Sequence, residues 1–219
     1  QMMHARPRLS RVALVLAVLS GGLLFASTSS AQGLPGGINL AGVGYDLGDP
    51  EAPVAVVEFS DFGCPYCGSF ARESFPAIYK EYIATGQVRW KYVPFTLKSF
   101  PNGEEAALAA ECAAEQGTEA FWKMHDHLYA RQQEWKADRS PQARFSAYAR
   151  ALGLEEERFS TCLRTGASAT RVGRNNTAAS LLNVRSTPTF FVNGYRVRGA
   201  LPLETFRLVL QEFGAKPGN

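Results

Sequence analysis

Two cysteines, Cys64 and Cys67, enclose Pro65 and Tyr66 and stand between an apolar, β-branched run at 54–59 and a stretch with helical spacing of apolar residues. This juxtaposition constrains the chain more than any other, because a strand must end just before the cysteines and a helix must begin at them. Pro65 suits a first helical turn, where no backbone donor is needed and its fixed φ is already helical. Cys64 then falls at the helix N-terminus, where unpaired N–H groups and the positive dipole end favour thiolate over thiol. Cys64 is the expected nucleophile and Cys67, one turn further in, the expected buried resolving thiol. A zinc site would call for two more ligands at short spacing, and the sequence has no second C-x-x-C and no H-x-x-x-H. A purely structural disulfide across so tight a loop would stabilise little. Redox chemistry is the reading that the strand-before, helix-after setting favours.

Residues 1–31 read as a secretory signal peptide: a basic start with Arg6, Arg8 and Arg11, an apolar stretch over 12–25, and the small residues Ser29, Ser30 and Ala31 as a cleavage site. An uncleaved membrane anchor is the minority reading. Removal of these residues takes away three Arg and no acid, so the 23 basic residues become 20 against 20 acidic ones. A mature chain of zero formal charge gives no support to nucleic-acid binding. Export permits disulfides, so the remaining pair, Cys112 and Cys162, is expected to form a structural disulfide, with two buried free thiols as the alternative.

Residues 32–48 are Gly-rich and read as a flexible leader with one short strand near Tyr45. Apolar positions at Phe70, Phe75, Ile78 and Tyr82 continue the helix that begins at the cysteines, with Pro76 expected to kink it. Residues 88–93 alternate apolar with basic and end at Pro94, a half-buried strand. Helical segments are expected at 104–116, 119–131, 141–152, 155–164 and 167–182, with Gly117, Gly153 and Gly166 closing three of them. A strand returns at 189–192, Asn193-Gly194 signals a hairpin, and Leu203, Phe206, Leu210 and Phe213 mark a closing helix. His125 and His127 lie two residues apart, on different helix faces, and read as surface or partly buried packing rather than metal ligands. The aromatics Phe121, Trp122, Phe145 and Tyr148 read as helix core, and Asp61 as solvated.

The segment 58–70, together with Ser186-Thr187-Pro188-Thr189 and the hairpin that follows, resembles the DsbA-like branch of the thioredoxin superfamily, thiol:disulfide oxidoreductases of bacterial envelopes. The resemblance implies an α/β fold: a thioredoxin-like core over 49–100 and 184–219, with an inserted all-helical subdomain over 101–183. It implies a cis Pro188 across from the dithiol, with the backbone of Thr187 pairing with an extended substrate that Thr187, Pro188, Pro65 and Tyr66 bind. It also implies that Glu58, six residues before Cys64, is a buried acid that moves protons at Cys67. Tyr66 stands where the best-known strong oxidases of the family have histidine, which points to a less oxidising dithiol. The expected activity is introduction of disulfides into reduced exported proteins in an extracytoplasmic compartment, by a monomer without metal or cofactor that a quinone-linked membrane partner reoxidises. A reductase or isomerase of the same compartment is the alternative, and a peptide-binding chaperone module a more distant one.

Overall fold

Strand β2 (Val54–Ser60) takes the central place in a five-stranded sheet of order β1-β3-β2-β4-β5. It pairs in parallel with β3 (Val88–Pro94) and antiparallel with β4 (Thr189–Val192). A strand flanked on both sides and covered on both faces is apolar nearly throughout, which is why 54–59 shows no alternation. β1 (Tyr45–Leu47) adds antiparallel to β3, and β5 (Tyr195–Arg198) to β4. The β4–β5 turn is left-handed at both central residues, Asn193 at φ 45° and Gly194 at φ 87°, the geometry that Asn-Gly supplies at least strain.

The computed structural model describes residues 34–218, so the expected signal segment at 1–31 lies outside the described residues. The helix after β2 is not a single regular rod. It runs as α1 (Pro65–Ser69), a wider π turn (Phe70–Ser74), α2 (Phe75–Ile78) and a second π turn (Tyr79–Ile83). Pro76 has no N–H for the carbonyl one turn back, and the backbone widens around it where a kink was expected. Between β3 and β4 come α3 (Gly103–Ala114), α4 (Thr118–Ala130), α5 (Gln132–Lys136), α6 (Gln142–Ala151), α7 (Glu156–Thr165) and α8 (Ala169–Leu181). The expected five segments are present, and α5 is an addition. Gly117 is the N-cap of α4 and so opens that helix, whereas it was expected to close the one before. The closing helix is α9 (Leu203–Glu212).

The two-residue period of the strands divides the core in two. Val54, Val56, Trp90, Tyr92, Phe190 and Val192 face the active-site helix, α9 and much of the helical block. Phe59, Val93 and Phe191 face the other way, onto Leu40, Val43, Ala179 and Leu182. The stretch expected to be a flexible leader is therefore corrected in part: Leu40 and Val43 are buried and close the second face of the sheet. Polar contacts add to this. The buried Glu111 of α3 accepts hydrogen bonds from Tyr45 of β1 and from Arg171 and Asn175 of α8. Cys112 and Cys162 form a disulfide joining α3 to α7, with Cα atoms 5.7 Å apart.

Candidate functional site

The end of β2 and the start of α1 put the two cysteines where strand, turn and helix meet. Cys64 is the N-cap of α1 and Pro65 its first helical residue. Cys64 and Cys67 are reduced in this structure, and both are buried, Cys64 with 1% of its surface exposed and Cys67 with none. Tyr66 between them is 68% exposed. The Cys67 thiol beside it holds Cys64 down at about 6, helped by Thr187 and by the backbone N–H groups of Cys67 and Tyr66, against the burial that pushes it up. Burial and the neighbouring Cys64 push Cys67 the opposite way, well above the usual thiol range.

The Thr187–Pro188 bond is cis. As a thiol, Cys64 donates to the Thr187 carbonyl at 3.4 Å, so residues 123 apart in sequence meet at the sulfur. Glu58 is 3% exposed and lies on the face of β2 that looks onto α1. Its carboxylate accepts from Ser60 Oγ at 2.5 Å and from Trp90 Nε1 at 3.1 Å. Burial outweighs these two bonds and raises its titration to about 7. The site thus brings together Cys64, Cys67, Glu58, Thr187, Pro188, Pro65 and Tyr66, whereas Cys112 and Cys162 sit apart in the helical block.

Asp61, expected to be solvated, is 1% exposed. Its Oδ1 accepts from the Gly63 N–H and its Oδ2 from the Leu97 N–H, both at 2.8 Å, so it ties the turn before Cys64 to the loop after β3. His125, expected at the surface or partly buried, is 2% exposed, with Phe62, Tyr92, Trp122 and Tyr129 around its ring. Among the described residues, no three His, Cys, Asp or Glu side chains are grouped to hold a metal ion.

Gln132 of α5 was not expected here at all. Its buried amide donates to the carbonyls of Phe62 at 2.6 Å and Cys64 at 2.8 Å. No sequence signal marks it, since it sits in a polar run, Arg131-Gln132-Gln133-Glu134, that reads as surface. Gly68 makes this approach possible: a Cβ at that position would lie 2.4 Å from Gln132 Oε1 and 2.8 Å from Arg72 Nη1.

A central parallel strand pair, a dithiol at the N-terminus of the helix that follows it, a cis-proline loop facing the dithiol and a helical block between β3 and β4 define a DsbA-like protein of thioredoxin fold. Comparison with known proteins agrees. The chain belongs to the thioredoxin family, whose sequence signature matches residues 42–212. Disulfide bond formation protein D of Bacillus subtilis is 30% identical over 151 residues, 67% of this chain and 66% of that protein. The crystal structure of oxidised BdbD from Bacillus subtilis superposes with a TM-score of 0.73 at 25% identity, covering 83% of this chain and 96% of that one. The Na(+)/H(+) antiporter NhaA 3 of Salinispora tropica is 43% identical over 159 residues, 72% of this chain and 22% of the antiporter. The chain thus spans about a fifth of the length of such antiporter relatives, and among its described residues no helix is long and apolar enough to cross a membrane.

Proposed function

We propose that the chain is an exported thiol:disulfide oxidoreductase that oxidises dithiols of exported proteins through Cys64 and Cys67. The observation that carries this reading is the placement of Cys64 at the head of α1 against the cis Thr187–Pro188 bond with Cys67 fully buried, which displaces the two thiols in opposite directions, Cys64 down and Cys67 up. A substrate thiolate attacks Cys64 Sγ of the Cys64–Cys67 disulfide. The substrate–Cys64 bond forms, the Cys64–Cys67 bond breaks, and Cys67 leaves as a thiolate that takes up a proton. A second substrate thiolate then attacks the substrate sulfur of the mixed disulfide. The substrate disulfide forms, Cys64 leaves as a thiolate, and two electrons have passed from substrate to protein. A stabilised Cys64 thiolate is a good leaving group and favours the reduced protein, which is what makes an oxidant.

Glu58 is the proton donor and acceptor for Cys67: at about 7 it is present in both forms at neutral pH. The Thr187 backbone beside Cys64 offers an extended substrate main-chain pairing, with Pro65 and the exposed Tyr66 at the rim, so recognition is broad. Reduced exported proteins are the substrates, and a quinone-linked membrane protein restores the disulfide. The Cys112–Cys162 disulfide is structural. The activity is tested by a redox titration in glutathione buffers. A midpoint well above roughly −270 mV, between that reducing end of the family range and the roughly −120 mV of its strongest oxidants, is expected, and one near −270 mV would replace the oxidase with a reductase.

A further inference from the structure

Glu58 and Ser60 are two residues apart on β2, so the period of the strand turns both side chains onto the face that α1 covers. Both are buried, Ser60 completely. The Ser60 hydroxyl donates to Glu58 Oε1 at 2.5 Å, and it lies close enough to Cys67 to favour the thiolate there against the burial that opposes it. A serine hydroxyl has one proton and two lone pairs. It cannot donate to a Glu58 carboxylate and a Cys67 thiolate at once, but it can accept from one while donating to the other. Cys67, with none of its surface exposed, has no access of its own to solvent.

We propose that Ser60 is the proton relay between Glu58 and Cys67, an inference that rests on the role given above to Glu58. When a substrate thiolate breaks the Cys64–Cys67 bond, Ser60 gives its proton to the Cys67 thiolate and takes one from the Glu58 carboxyl. In the reverse direction, the Cys67 proton passes to Ser60 Oγ as the Ser60 proton passes to the Glu58 carboxylate. Cys67 Sγ then attacks Cys64 Sγ of the mixed disulfide, the internal disulfide forms, and the substrate leaves as a thiolate. The other titratable groups around this path are Cys64 of the dithiol, Tyr92 of β3 and Tyr129 of α4, and none of the groups acting on Glu58 is cationic.

The test follows the two steps by which the reduced, full-length protein reacts with an aromatic disulfide, 5,5′-dithiobis(2-nitrobenzoate). The first thionitrobenzoate released reports attack by Cys64, and the second reports resolution by Cys67. Ser60→Ala is expected to slow the second step tenfold or more at pH 7 and move its pH profile to more alkaline values, with the first step within twofold of the parent. Ser60→Thr, which keeps the hydroxyl, is expected to restore the second step. Normal resolution in Ser60→Ala with slow resolution in Glu58→Gln would overturn the relay and leave the role of Glu58 standing. Normal resolution in both variants would remove both. Slowing of both steps in Ser60→Ala, or slow resolution in Ser60→Ala with normal resolution in Glu58→Gln, would make Ser60 a packing residue and also overturn the relay.

Discussion

Gln132 Nε2 donates to the carbonyl oxygen of Cys64 at 2.8 Å, so a side chain of the helical block holds the backbone of the cysteine at the head of α1. The same amide holds the Phe62 carbonyl at 2.6 Å. Replacing it leaves two carbonyls without their donor in a closed setting, a loss of about 1–3 kcal/mol for each buried group. Gln132→Leu is expected to lower unfolding stability by about 2–4 kcal/mol in urea, and to broaden the amide resonances of residues 62–64 in the folded protein.

The reactivity of the dithiol has a defined pH dependence. Iodoacetamide modification of Cys64 in the reduced protein is expected to rise through about pH 6 and level off above it, as the thiolate population saturates. The Cys67 thiol contributes most to that low value, so Cys67→Ala is expected to move the midpoint to higher pH. An unchanged midpoint in the variant would assign the effect to Thr187 and the backbone N–H groups at the helix N-terminus.

Glu58 links stability to pH. Its titration lies at about 7 in the folded protein against 4.5 as the ordinary value, so the folded state holds the proton more tightly. The stabilisation is complete below pH 4.5 and is lost as pH rises to about 7, after which the difference is constant. At 1.36 kcal/mol per pH unit the span is about 3 kcal/mol. Urea midpoints of the parent and of Glu58→Gln are expected to diverge across pH 4.5–7 in favour of the variant and to run parallel above it.

Asp61 satisfies two backbone donors that have no other partner of this kind, the N–H groups of Gly63 and Leu97. Asp61→Ala is expected to destabilise by about 2–5 kcal/mol, and Asp61→Asn by less, because the amide keeps one acceptor. Chemical denaturation of the two variants against the parent checks the order.

The Cys112–Cys162 disulfide closes a loop with a sequence separation of 50 residues. The chain-entropy argument gives about 4 kcal/mol for a loop of this length. The double serine variant is expected to lose about that much in denaturation while keeping the iodoacetamide profile of Cys64, since the bridge lies away from the dithiol.

What the sequence makes legible here is chemistry carried by neighbours in the chain. The β-branched run before Cys64, the proline after it, the Asn193-Gly194 turn and the helical spacing over 104–182 each fix a local conformation, and the α/β architecture follows from their order. Asp61 was misread because its second partner, the Leu97 N–H, lies 36 residues away in a loop whose path no local signal sets. Gln132 was missed for the same reason: its partners are 70 and 68 residues upstream, and the helix that carries it has only five residues. The burial of His125 depends on rings contributed by the β2–α1 turn, β3 and α4 together. Contacts between layers leave little trace in composition or period.

Gly68 extends the functional motif by one position. An alanine there would push on the Gln132 amide, the movable end of the contact, long before it disturbed the helix backbone. The Cys-Pro-Tyr-Cys sequence would be unchanged, yet the amide that holds the Cys64 carbonyl would have to shift. The structural unit around this dithiol is therefore Cys-Pro-Tyr-Cys-Gly plus a glutamine 64 positions further on. A helical block grafted in from a related protein would leave the Phe62 and Cys64 carbonyls without this donor unless it brought that amide with it.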